Sequence, residues 1–330
     1  MDSSSEKSVF PKAPSKGWIN WLKWMVLPAA FLFLAYKLFT FKQYADLIAH
    51  WKQLPLSQFW WLGGVFVLLP ANWLLEAFKW QQLVSKVQSI HLRNALKGVL
   101  VGITTGFLTP NRVGELVGRV MYLNPDNRKA GITLSLVNSL TQNIIMVLCG
   151  IPACVLFVNA YEKSTEINTV LYLWLLAAGL VCSALLYFFL PRVSRLLHKS
   201  RYSEKWKAFT DCLAFYTGQD LLRIMLISIG RYIVFCTQFF FMLQFFGIDL
   251  SPWQALISIP TTYLFVTFTP SFAFSDVAVR SSYAVLVIGV FSCQVVSIAL
   301  AGMCIWVVNF VIPLLVGLVV LARGKNKLKI

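Results

Sequence analysis

Phe107-Leu-Thr-Pro-Asn-Arg-Val-Gly-Glu-Leu-Val-Gly-Arg119 sits inside an apolar stretch, Leu96 to Tyr122, that it breaks in the middle. Pro110 has no amide N–H and its ring cannot continue the preceding helix, yet its fixed φ suits the first turn of a new one. A second stretch, Trp253 to Val290, is broken by Thr269-Pro270-Ser271. The segment around that break reads Phe268-Thr-Pro-Ser-Phe-Ala-Phe-Ser-Asp-Val-Ala-Val-Arg280, and with a one-residue shift the two segments share Pro, then an acid, then Arg. Each stretch is predicted to be a hairpin of two half-helices.

Around these breaks the chain is 58% hydrophobic and 13% charged over 330 residues, with a mean hydropathy of +0.69. A soluble domain cannot hide that much apolar surface in one core, so the surplus must face lipid. Runs long enough to cross a bilayer occur at Trp21–Thr40, Gln58–Lys79, Gly131–Val158, Val170–Leu190, Leu221–Phe246 and Cys293–Ala322. The fold class expected is an all-α polytopic membrane protein with about six full crossings and two proline-broken re-entrant hairpins.

Twenty-nine Lys and Arg against thirteen Asp and Glu give a formal charge of +16. The excess lies in short loops beside apolar runs, which reads as membrane topology and not as a nucleic-acid surface. If each hairpin leaves by the side it entered, Lys86, Arg93, Lys97, Arg128, Lys129, the basic run from Arg192 to Lys207 and Arg323–Lys329 share one face. Both termini are then expected in the cytoplasm, in a cell membrane. Residues 1–18 read as a disordered cytoplasmic tail, 19–323 as one transmembrane domain and 324–330 as a basic cytoplasmic tail. One crossing separates a unit at about 56–158 from a unit at about 219–322, so the two should be inverted repeats, an arrangement that places binding sites at the midplane.

Glu115 and Arg119, like Asp276 and Arg280, are four residues apart, so each pair shares a helix face. Charges at membrane depth are costly and serve a pathway or each other. A structural lock and a substrate contact both explain these pairs. Arg112 has no counterpart in the second segment and reads as functional, a bidentate donor for an anion. The candidate substrate-binding residues are Pro110, Asn111, Arg112, Glu115, Arg119, Asp276 and Arg280, joined by Glu76 and Arg231 from the preceding crossings. Lys79 is expected to stretch to the cytoplasmic interface. Ser135, Asn138, Ser139 and Gln142 make one polar stripe, explained equally by helix pairing and by a substrate path. The mixed basic and aromatic segment Pro191–Gly218 is expected on the cytoplasmic membrane surface.

The seven cysteines show no CxxC pair and read as small hydrophobes. His50, His91 and His198 are isolated, and HExxH, Walker A and GxSxG patterns are wanting. No enzyme activity, cofactor or metal is expected.

Lys79-Trp80 followed by Gly106-Phe-Leu-Thr-Pro-Asn-Arg-Val-Gly-Glu-Leu-Val-Gly-Arg119 resembles the membrane domain of the lysylphosphatidylglycerol synthase and flippase family, and the likeness extends over about Trp21 to Ala322. The family's Pro, Arg, Gly and Glu fall on Pro110, Arg112, Gly114 and Glu115. Its second motif is glycine-rich, whereas Pro270 to Asp276 contains no glycine, which leaves the substrate open. The resemblance implies a flippase-like translocator of a phospholipid or other polar phosphate-bearing lipid, without the soluble lysyl transferase often fused to this domain. Arg112, Arg119 and Arg280 would contact the head group, with Glu115 and Asp276 as counter-charges or proton carriers. Expected partners are anionic or zwitterionic membrane phospholipids, not nucleic acid, with a homo-oligomer left open. The alternatives are a secondary transporter of a small soluble anion and a non-transporting assembly or regulatory protein.

Overall fold

The computed structural model describes residues 55–107, 109, 112–161, scattered positions from Ala178 to Ser194, 212–269 and 273–323. All of them fall in one compact unit, Pro55–Ile330. The expected tails, the expected crossing Trp21–Thr40 and most of Val170–Leu190 lie outside the described residues, though the described positions from Ala178 to Leu190 are helical.

Among the described residues every regular element is helical. In chain order they are α1 (Phe59–Val84), α2 (Leu92–Gly106), α3 (Gly114–Val120), α4 (Arg128–Tyr161), α5 (Gly218–Phe245), α6 (Pro252–Phe268), α7 (Ala273–Ile288), α8 (Val295–Trp306) and α9 (Ile312–Arg323). Helical stretches long and apolar enough to cross a membrane are Leu56–Val84, Pro125–Ala160, Gly218–Phe245 and Val295–Arg323, matching four of the expected crossings. In the first three only 28, 22 and 28% of the most apolar window is buried, so their outer faces are built for lipid; the last, at 56%, is the most enclosed.

Local chemistry sets the boundaries. Thr217 and Asp220 form a reciprocal capping box at the start of α5, as Ser251 and Gln254 do for α6, where Pro252 takes the first turn. Helix α5 ends where Gly247 adopts φ +73°, with Ile248 N–H donating to Leu243 C=O and Gly247 N–H to Gln244 C=O, a Schellman cap. Helices α8 and α9 are joined by a π-helical turn, Val307–Val311. Pro313 accounts for it, because a proline ring collides with the carbonyl four residues back, here that of Asn309, and the wider turn moves that carbonyl aside.

Both sequence breaks fall between helices, α2 from α3 and α6 from α7. In the first pair the helices run antiparallel in close contact. A Cβ on Gly98 would stand 2.9 Å from Arg119 O, one on Gly102 2.9 Å from Arg119 Cγ, one on Gly106 3.1 Å from Glu115 Cβ, and one on Gly118 2.6 Å from Gly102 Cα. This is small-residue packing, which lets backbones approach where lipid offers no hydrophobic drive for helices to associate. Threonines staple the tip: Gly114 N–H donates to Thr109 Oγ1 at 2.6 Å, and Thr105 Oγ1 donates to Gly114 O at 2.7 Å. The second pair is held by bulk, with Phe265 stacked on Tyr283 and Thr269 hydrogen-bonded to the Tyr283 hydroxyl at 2.8 Å.

Packing is reciprocal. Helices α1 and α5 lie together, α4 packs on α6, and α9 packs on α2. One apolar core gathers Trp80, Leu83, Val99, Leu134, Tyr187 and Tyr216. Most of Pro191–Gly218, expected on the membrane surface, lies outside the described residues; of its end, Phe215 is exposed, whereas Cys212 and Tyr216 are buried in this core, with the Tyr216 hydroxyl donating to Leu83 O. The aromatic ring supplies core area and its hydroxyl satisfies a backbone carbonyl near the end of α1.

Candidate anion-binding cavity

Two ionic groups face a cavity of about 550 Å³ lined by residues of α1 to α8 and of the π-helical turn after α8. The first centres on Glu76 of α1. Its carboxylate takes Lys79 Nζ at 3.0 Å, Arg119 Nη2 at 2.6 Å and Arg231 Nη1 at 2.9 Å, and accepts from Asn138 Nδ2 at 2.7 Å. Arg119 also pairs with Glu115 one helical turn away, the i, i+4 contact the sequence implies. Gly102 makes this geometry feasible, because a side chain there would occupy the space of the Arg119 stem.

Lys79 does not reach an interface. It is fully buried and paired to Glu76, so the expectation of an interfacial lysine is corrected. An ammonium three residues from a buried carboxylate gains more from that partner than from stretching toward water. The polar stripe of α4 divides: Asn138, Ser139 and Gln142 lie on the cavity wall, whereas Ser135 is buried away from it.

The second group centres on Asp276. Its Oδ2 accepts from Arg112 Nη2 at 2.8 Å, Arg280 Nε at 3.1 Å and Trp306 Nε1 at 3.1 Å. Arg112 belongs to the tip between α2 and α3 and Asp276 to the start of α7, so this ion pair ties the two helix pairs together. Arg112 has φ +57°, a left-handed conformation costing a non-glycine residue about 1–3 kcal/mol. The Asp276 contact and the Phe310 ring, 4.4 Å from the guanidinium carbon, hold it there.

The π-helical turn, with Trp306 just before it, joins the groups. Trp306 donates to Asp276, Phe310 underlies Arg112, and Asn309 Oδ1 accepts from Asn72 Nδ2 at 3.0 Å. Asn72 Oδ1 in turn accepts from Arg231 Nε at 2.9 Å. Sequence reasoning missed Trp306, Asn309 and Phe310. The available signal was Asn309, an amide in the middle of a long apolar crossing.

Glu76, Arg112, Glu115, Arg119, Arg231, Asp276 and Arg280, scattered over more than 200 residues of sequence, all lie on this wall. Pro110 and Asn111 lie outside the described residues. Four arginines against three carboxylates on the wall leave a positive excess, and Lys79 directly behind Glu76 adds to it. Such a wall suits an anion in a low-dielectric setting.

Long outward-apolar helices around an ionic cavity define a multi-pass membrane protein. The chain matches the profile of the lysylphosphatidylglycerol synthase transmembrane region over residues 20–317, and belongs to that family. No curated protein and no solved structure gives a match. The family's name ties it to membrane phospholipid.

Proposed function

We propose that this protein translocates a phosphate-bearing polar lipid between membrane leaflets, acting as a carrier and not as an enzyme. The observation that supports this most directly is the arginine-rich cavity wall formed where the two broken helix pairs meet. Apolar side chains share that wall, among them Val99, Ile103, Met146 and the largely exposed Phe268, and they suit the glycerol and upper acyl region beneath a phosphate. In this reading the two pairs are re-entrant, the units at about 56–158 and 219–322 are inverted repeats, and both termini are cytoplasmic. The reciprocal packing of α4 on α6 and α9 on α2 agrees with such a repeat.

The test is movement of labelled lipids between leaflets of proteoliposomes, comparing the natural protein with Arg112→Gln at matched folding. Loss of movement in the variant is the expected result. No movement above empty liposomes for any head group would defeat the reading, and competition by soluble head groups without lipid movement would transfer the cavity to a soluble anion.

A further inference from the structure

We infer that the cavity selects a group carrying two negative phosphate charges and rejects one whose phosphate is offset by an amino-acid ammonium. The inference rests on the translocation reading only in supposing that the group can be borne by a lipid.

The ion pairs of the wall and of Lys79 behind it sort these charges into two sets. Lys79, Arg119 and Arg231 face Glu76 and Glu115, and Arg112 and Arg280 face Asp276. Among the described residues, each set is left with one uncompensated positive charge. Uncharged residues at the end of α8 and in the π-helical turn after it hold the sets apart and fix their spacing: Trp306 on Asp276, Phe310 under Arg112, and Asn309 on Asn72, which holds Arg231. A single phosphodiester neutralises one set and leaves the other charged, whereas a two-phosphate group answers both.

The hydrogen-bond groups point the same way. Arg119 is 3% exposed, Gln142 is 8% exposed, and both lie on the wall. Arg119 Nε and Nη1 and Gln142 Nε2 have no partner among the described residues. These are donors, which phosphate oxygens can answer. Glu76 and Asp276 are already committed, since both Glu76 oxygens hold cations and Asp276 Oδ2 takes three donors, while Glu115 gives one oxygen to Arg119. Asn138 Oδ1 is open too, but it is neutral. An incoming ammonium would therefore find Glu115 as the one wall carboxylate that holds a single cation, on a wall where arginines outnumber acids. The lysyl ester in the family's name adds two ammonium groups to one phosphate, so it is the wrong sign for this wall.

The full-length protein in phosphatidylcholine nanodiscs is titrated with cardiolipin (two phosphates), phosphatidylglycerol (one) and lysylphosphatidylglycerol (net positive), and with inorganic pyrophosphate as the free form. The expected order is cardiolipin, then phosphatidylglycerol, then the lysyl lipid, with about tenfold in Kd at each step at low salt. Arg280→Gln is expected to bring the first two to within about twofold, while Arg280→Lys keeps the step. Equal binding of the three lipids, preference for the lysyl lipid, or an unchanged step in a folded Arg280→Gln protein overturns the inference. Charge preference without inter-leaflet movement upholds it and defeats the translocation reading, whereas movement without preference does the reverse. Pyrophosphate binding without cardiolipin binding upholds the charge rule and assigns it to a free anion.

Discussion

The α2–α3 and α6–α7 pairs carry the same order of proline, acid and arginine, yet they hold their arginines differently. Glycines at 98, 102, 106, 114 and 118 bring the first pair's backbones together, and Arg119 lies along that groove almost fully buried. The second pair is spaced by Phe265 and Tyr283, and its Arg280 side chain keeps 25% exposure. Exposure separates their roles: the desolvated arginine keeps its two carboxylates and offers a ligand only its remaining N–H groups, while the more exposed one, sharing a carboxylate with Arg112, can exchange it for a ligand.

Substitutions at the two acids should break this contrast most sharply. Glu76→Gln leaves the buried Lys79 and Arg119 and the partly buried Arg231 short of a charge and should destabilise by about 3–5 kcal/mol. The apparent Tm in detergent should show it as a much larger fall than Asp276→Asn, whose arginines reach water. Similar losses at the two sites would mean that both groups are framework.

Packing differences come next. Gly118→Val puts a branched side chain against Gly102 Cα and the Thr105 hydroxyl and should cost about 1–3 kcal/mol through overpacking. Ala278→Val, on an exposed face of the second pair, should stay within about 0.5 kcal/mol. Thermal scans of the two variants compare the pairs directly.

Arg112→Gly separates stability from function. Relief of the positive φ offsets loss of a partly exposed ion pair, itself about 0–1 kcal/mol, so Tm should hardly move. Lipid movement between leaflets should nonetheless fall at least about tenfold, since the lost group is the one that reads the anion. Asn309→Ala should cost about 1 kcal/mol, for one hydrogen bond on the turn that joins the groups. Chemical denaturation resolves a change of that size.

Much was legible in the chain because it depends on local spacing. Apolar length marks four helices that the structure contains, proline marks both breaks, and a four-residue interval pairs Glu115 with Arg119 and Asp276 with Arg280. Lys79 was misread because its fate depends on a neighbour's surroundings: once α4 and α5 close over Glu76, the ammonium is sealed beside it.

What the sequence determined alone is therefore a membrane-embedded, all-helical chain with two broken, charge-bearing segments, since hydropathy, periodicity and proline act within a few residues. Tertiary structure alone decided that Arg112 reaches across to Asp276, that Glu76 gathers three cations, and that Trp306, Asn309 and Phe310 join the two groups. Apart from the local Glu76–Lys79 pair, these contacts link residues 30 to 237 positions apart in the chain. Only the packing of whole helices, directed by glycine contacts and a proline-widened turn, brings them within hydrogen-bond reach.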